Sequence, residues 1–493
     1  MRQLKKRPCG ILAMVMCMSA MTGCAANPDK GVVTSKNDGV FEQNMTVPAT
    51  APLDEQVQHS ESFTSTDGTA EYIINLDQKM TSDPLPIVEV VPHMFTGEDV
   101  KRIAQVLFGD ADFYEREHEE DAEYSKEQLQ KRINWMSEIA STEAINALLG
   151  AEDVDGYPRD YTQQIDLLKM FIQQYTVQME TAPEENPHEP CDWTFKRDSE
   201  YASSYNAYGN DWIIATVDLG ELNYHVFVVR RDKGDYKYNE LIVQFGDGLG
   251  YPDLEMAYLR AKVCRTPEPT QEQIDALVEK AQTMLDQMSM GQWKVSYTNV
   301  IEETYGNAVE YQVQIGASPV FNDVDAIYGQ RIKSLTSEDA NASNYFITSA
   351  VFHFSANGDL IYFDMNAPVE VKTVVNDGVA ILSTEELMDR AKEHLSLYGA
   401  DAQYFSAFIS NWYQKPMTCK VEIDRLEFGL ARVKVANTDF TYYYTPAFVV
   451  HGSVKYYDKQ TGEYIEYPYE PDVEMEQALV WINAVDGSII EQS

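Results

Sequence analysis

Hydrophobic residues recur at three- and four-residue spacing in some stretches of this chain and at two-residue spacing in others, which separates predicted helices from predicted strands. Tyr72 to Leu76 and Pro86 to Val91 read as short strands. Thr96-Gly97-Glu98-Asp99 then has the spacing of a capping box, and Val100, Ile103 and Leu107 supply one apolar face behind it. A second helix opens at Ser125 with Gln128 three places on, and Leu129, Ile133, Trp135 and Met136 form its stripe. A third carries Ile165, Leu168, Ile172, Tyr175 and Met179. Past Pro187 the period shortens to two, and Trp212 to Val217, Tyr224 to Val229 and Leu241 to Phe245 read as antiparallel strands.

The C-terminal half holds an internal repeat. Thr270-Gln271-Glu272-Gln273 and Ser383-Thr384-Glu385-Glu386 are both capping boxes, each followed by an amphipathic helix. The first helix uses Ile274, Leu277, Val278, Ala281 and Leu285, and the second uses Leu387, Ala391, Leu395 and Tyr398. Strands follow in each copy, with the triplets Pro319-Val320-Phe321 and Pro446-Ala447-Phe448 leading into more strand. Each copy closes on an apolar strand and a tight hairpin, ending at Asn357-Gly358 or Asp486-Gly487, dipeptides suited to two-residue turns. Proline and turn glycine are 39 residues apart in one copy (319 to 358) and 41 in the other (446 to 487), which predicts one fold used twice.

The first residues predict export. Arg2, Lys5, Lys6 and Arg7 precede an apolar run from Ile11 to Ala20, which is shorter than the roughly 20 residues needed to span a bilayer. Met21-Thr22-Gly23-Cys24 follows and resembles the lipobox of bacterial lipoproteins, with Met21 standing where leucine is usual. That resemblance implies cleavage between Gly23 and Cys24, and two acyl chains on Cys24 that anchor the protein to the outer face of a membrane. Residues 24–68 are rich in Asn, Asp, Ser, Thr, Gly and Pro and read as a flexible tether with a reach of roughly 35 to 40 Å. The expected order is therefore signal 1–23, tether 24–68, an α+β domain over 69–262, and two repeat modules over 265–376 and 383–493.

Composition agrees with a globular protein: 493 residues, 44% hydrophobic and 24% charged, with a formal charge of -41. Loss of the four basic signal residues takes the mature chain to -45. Such a surface repels nucleic acid and anionic lipid headgroups and suits solubility, cationic peptides or divalent ions. Of six cysteines, Cys9 and Cys17 leave with the signal and Cys24 carries lipid, so Cys191, Cys264 and Cys419 allow at most one disulfide and the core must hold the fold.

The order of capped helix, strands, proline-led strand and final D-G-x-I-I strand resembles the PepSY-like modules of secreted and lipid-anchored bacterial proteins. It is also similar to the YycI-type extracytoplasmic regulators that carry such modules in tandem. The resemblance covers roughly residues 265 to 493 and implies helices packed on small antiparallel sheets, without enzymatic activity, that regulate a peptidase or a sensor kinase. It transfers no binding residue.

Candidate chemistry adds little. His118-Glu119-Glu120 begins like a zinc-peptidase motif, but Ala122 stands where the second histidine is needed. Asp153-Val154-Asp155-Gly156 and Asn322-Asp323-Val324-Asp325 echo calcium loops without the later bidentate Glu. Gly246-Asp247-Gly248-Leu249-Gly250 lacks the nucleotide-binding spacing and reads as a turn, and Ser453 after His451-Gly452 has no triad order. His188 and Cys191 are too few for a metal, Pro190 disfavours their pairing on a helix, and His394 lies beside an apolar stripe. Tyr442, Tyr444, Tyr457, Tyr464 and Tyr467 stand out within a tyrosine-rich segment, as a binding surface or as strand-forming residues. No catalytic residue, metal or cofactor is expected from these patterns. The sequence predicts an α+β, membrane-anchored extracytoplasmic lipoprotein with a non-catalytic binding or regulatory role and a protein or peptide partner. A transporter's substrate-binding lipoprotein would need parallel βαβ units, and a cell-wall hydrolase a clustered acid, base or nucleophile.

Overall fold

A computed structural model describes residues 40–115, 124–152, 157–185, 187–197, 211–219, 222–233, 236–246, 252–305, 308–327, 348–397, 415–435, 438, 440–465 and 477–490. The first elements are α1 (Val40–Asn44), β1 (Leu53–Thr64), β2 (Ala70–Ser82), β3 (Ile87–Pro92), α2 (Gly97–Phe108), β4 (Phe113–Glu115), α3 (Lys126–Ile139), α4 (Thr142–Leu149) and α5 (Thr162–Gln178). Next come β5 (Asp211–Leu219), β6 (Leu222–Lys233), β7 (Tyr236–Phe245), α6 (Pro252–Cys264), α7 (Gln271–Met288), β8 (Trp293–Tyr305), β9 (Ala308–Phe321) and β10 (Val324–Asp325). The chain continues through β11 (Ser349–Phe354), β12 (Leu360–Asn366), β13 (Val369–Asn376), α8 (Thr384–Ser396), β14 (Met417–Lys434), β15 (Tyr442–Asp458) and β16 (Gln477–Asn483).

The capping chemistry read from the sequence sets the helix starts. Thr96, Ser125, Thr270 and Ser383 each accept from the backbone N–H three residues on, and the side chains of Asp99, Gln128, Gln273 and Glu386 reach back to the cap N–H. Two orphan donors per helix are satisfied in this way.

Two sheets carry the fold. One has nine strands in the order β10-β9-β11-β12-β7-β6-β5-β4, with β8 also on β9. The other has seven, in the order β1-β2-β14-β15-β3-β13, with β16 also on β15. Among the described residues the strand ladders are antiparallel except where β2 lies parallel to β14. The helices α2 to α7 cover one face of the nine-stranded sheet, packing Ile103, Met136, Leu168, Leu259 and Leu285 against Val226, Val243, Ile315, Phe352 and Phe363. On the seven-stranded sheet, α8 buries Leu387, Ala391 and Leu395 against Tyr72, Ile74, Val421, Phe448 and Ile482.

The chain order through these sheets is an insertion. Residues 53–92 build the first part of the seven-stranded sheet, residues 97–366 build the whole nine-stranded sheet with its helices, and the chain then returns at β13. The two crossings lie side by side: His93 N–H donates to Pro368 O at 2.9 Å, and the fully buried Asn239 accepts from Phe95 N–H (3.2 Å) and Ala367 N–H (2.8 Å). A third contact comes from the β9–β10 hairpin. Asn322 and Asp323 form its two-residue turn with φ of +52° and +64°, the conformation of a type I′ turn. Beyond it Ile327 N–H donates to Leu430 O at 2.9 Å, and a Cβ at Gly429 would overlap the Ile327 side chain.

Four expectations are corrected here. The tether does not reach residue 68: β1 pairs with β2 along all twelve of its residues, and its polar sequence reflects an edge strand in which Val57 is the one fully buried apolar side chain. Nor is 69–262 a domain of its own, because β2 and β3 join the seven-stranded sheet while β7 pairs with β12 of the first repeat unit. The proline triplets are not equivalent. Pro319 stands opposite Trp293 at the end of β9, whereas Pro446 stands opposite Leu430 near the start of β15; proline tolerates either strand end. Finally, the glycine turns are longer than two residues, closed by Ser355 N–H to Asp359 O in one copy and Asn483 N–H to Ser488 O in the other. What the copies do share is order: helix, then three strands whose second lies between the other two, as β8-β9-β11 and β14-β15-β16.

Candidate functional site

The face of the nine-stranded sheet opposite the helices carries a row of polar side chains, assembled purely by register. Gln314 on β9 stands opposite His353 on β11, His353 opposite Tyr362 on β12, and Tyr362 opposite Gln244 on β7. Gln244 then faces His225 on β6, which faces Thr216 on β5, which faces Tyr114 on β4. The next row along the strands is mainly apolar, Gly316, Val351, Asp364, Ile242, Phe227 and Ile214, and Asp364 is its one acid.

Burial displaces three titratable groups on this face. Burial, with the Arg260 guanidinium adding to it, pushes His353 down to about 4. The Gln312 amide satisfies both neighbours when its oxygen accepts from Arg260 Nε (3.2 Å) and its nitrogen donates to His353 Nδ1 (3.3 Å), which requires a neutral imidazole. Burial also raises the Tyr362 phenol, whose ring meets the His353 ring edge-on at 5.4 Å. Asp364 moves the opposite way from an exposed carboxyl, pushed up to about 8 by burial and by Glu240. Oδ1 of Asp364 and Oδ1 of Asn366 are closed to solvent, and neither has a hydrogen-bond partner among the described residues. Groups displaced in this way and gathered on one surface are candidates for a functional site.

Sequence reasoning missed this face. The polar positions of Phe352-His353-Phe354 and Tyr362-Phe363-Asp364-Met365-Asn366 do alternate with buried phenylalanines and Met365, so each strand shows its own polar face. Which strands lie beside one another was not legible.

The residues singled out by sequence fall elsewhere. Gly23, Cys24 and Tyr467 lie outside the described residues, as do His118 to Glu120, Asp153 to Gly156 and Asp247 to Gly250. Tyr442 and Tyr444 are buried and are not a surface: they pack with Phe321, Leu430 and Val88 where the β9–β10 hairpin meets the seven-stranded sheet. Tyr457 and Tyr464 pair edge-on at 5.9 Å, with Tyr464 exposed. Asn322 and Asp323 serve the turn, while Asp325 pairs with Lys294. Cys191 N–H donates to Phe113 O, so this segment runs extended beside β4 rather than as a helix, and burial pushes its thiol up to about 11. His451 Nε2 contacts Glu427 at 2.9 Å, Ser453 faces Glu422 across the ladder, and His394 is half-buried. Among the described residues no three His, Cys, Asp or Glu side chains gather closely enough to hold a metal, and no helix is long and apolar enough to cross a membrane.

No family model matches the sequence, and no curated protein does. Among solved structures, the chain is similar to an uncharacterized protein from Eubacterium rectale ATCC 33656, at 11% identity over 92% of this chain and 99% of that one, with a TM-score of 0.34. A likeness of that degree assigns neither fold nor activity.

Proposed function

We propose that this protein is a lipoprotein, anchored through Cys24 on the extracytoplasmic face of a membrane, that binds a protein or peptide partner without catalysing a reaction. The observation that carries the binding role is the second face of the nine-stranded sheet, with its polar row across seven strands and two buried acceptors that have no partner among the described residues. An extended peptide offers regularly spaced N–H donors and side chains to such a surface. The shared helix and three-strand order over 271–354 and 384–483 supports a PepSY-like reading of those segments, and with it a regulatory role, although β13, at the end of the expected first module 265–376, lies in the other sheet. The anchor rests on the Met21-Thr22-Gly23-Cys24 signature.

A photo-crosslinking side chain placed at Gln244, on the face, and separately at the exposed Met170 on α5, tests both parts in intact cells. A discrete partner captured from Gln244 and not from Met170, and lost when Cys24→Ala releases the protein from the membrane, is the expected result. Equal capture from both positions contradicts the face, and membrane retention of Cys24→Ala contradicts the anchor.

A further inference from the structure

We propose that the Asp364 to Asn366 stretch of β12 receives a primary ammonium group on an aliphatic stem, the chemistry of a lysine side chain; this rests on the recognition role of the face. Both side chains project from the face that carries the polar row, two residues apart on one strand and so about 7 Å apart along it. The two atoms that lack partners among the described residues, Asp364 Oδ1 and Asn366 Oδ1, are both acceptors, so the group they await is a donor. Val351 and Ile242 flank Asp364 on either side and Phe227 follows on β6, giving an apolar strip along which a stem can lie. The chain's own balance of 79 acidic to 38 basic residues draws cationic partners toward it.

The site couples binding to pH. The titratable groups facing Asp364 are Glu240 on β7 and Tyr362 on its own strand, with His353 one strand away on β11; burial keeps both Tyr362 and His353 neutral. An ammonium group pairs with the ionised carboxyl, which is a minor species below the value of about 8 that burial imposes on Asp364. Apparent affinity is scaled by that fraction, so it rises by about tenfold per pH unit from pH 5 to 7 and flattens above pH 8.

Isothermal titration of the full chain with n-butylammonium chloride, beside n-butanol and calcium chloride, tests this. Butylammonium is expected to bind with the stated pH profile and to shift the methyl resonances of Ile242 and Val351, and butanol to bind about tenfold more weakly. Asp364→Asn should weaken butylammonium by about tenfold or more and abolish the pH profile, whereas Asn366→Leu should weaken it and keep the profile. A melting curve on each variant establishes that it is folded. Absence of butylammonium binding, equal binding of butanol, tighter binding of calcium, or an unchanged affinity in folded Asp364→Asn each overturns the proposal. If Gln244 still captures a partner in cells while butylammonium fails, the ammonium site falls and the recognition face stands; if neither occurs, both fall.

Discussion

His93 and Glu370 are 277 residues apart in sequence, yet His93 Nδ1 lies 2.7 Å from Glu370 Oε1. The other ring nitrogen, Nε2, lies 3.3 Å from Asp99 Oδ2, so one imidazole joins a carboxylate on α2 of the inserted unit to one on β13 of the seven-stranded sheet. Against the cost of burial, hydrogen bonds from Thr96, then Arg102 and His93, pull Asp99 down to about 2, which keeps it an anion. The contact sits on the two chain crossings, beside the backbone bonds of His93 and Asn239 and apart from the Phe321–Tyr444 core that also joins the sheets. His93→Leu is expected to cost about 1–2 kcal/mol and to speed amide exchange at residues 93–96 and 366–370. Unchanged exchange there would show that the backbone bonds alone set the joint.

Asp364 makes stability depend on pH with an unusual sign. Its carboxyl is raised to about 8 by burial, so between pH 4 and 8 the native chain holds a proton that the unfolded chain has lost. Stability from this group is therefore present in acid and lost as pH rises toward 8. Asp364→Asn should unfold at the same urea concentration as wild type near pH 4 and be more stable at pH 8, by on the order of a few kcal/mol before discounting for partial exposure. A difference that stays constant with pH would mean the carboxyl is solvated.

Phe321 and Tyr444 pack as tilted rings with centroids 4.3 Å apart in the small core between the two sheets. Phe321→Ala removes a nearly buried ring there and is expected to destabilise the protein by about 3–5 kcal/mol. It should leave binding at the polar face of the nine-stranded sheet intact in the folded fraction. Tyr464→Ala, at an exposed ring, should fall within about 0.5 kcal/mol of wild type. Urea denaturation of the two variants distinguishes a buried tyrosine cluster from a surface one.

Local chemistry was legible in the sequence and long-range pairing was not. The four capping boxes stand where Thr96, Ser125, Thr270 and Ser383 put them, because a cap is settled within four residues. The insertion was hidden because the pairing of β3 with β13 joins residue 90 to residue 371, and no spacing rule reports such a contact. β1 was mistaken for tether because an edge strand needs few apolar residues to hold its register. The candidate face failed for the same reason as the insertion. Tyr362 and Gln244 each alternate correctly within their own strands, yet only the β7–β12 ladder makes them neighbours.

That ladder is also where the account is most directly tested. In the double variant Gln244→Cys/Tyr362→Cys, the two positions face each other across β7 and β12, within reach of a disulfide after small adjustment. Mild oxidation of the folded protein is expected to close this bond, seen as a faster band on a non-reducing gel and a mass lower by two hydrogens. Thiols that remain reduced, while a Gln244→Cys/Asp364→Cys pair closes instead, would mean that the strands pair in another register and that the recognition face does not exist as described.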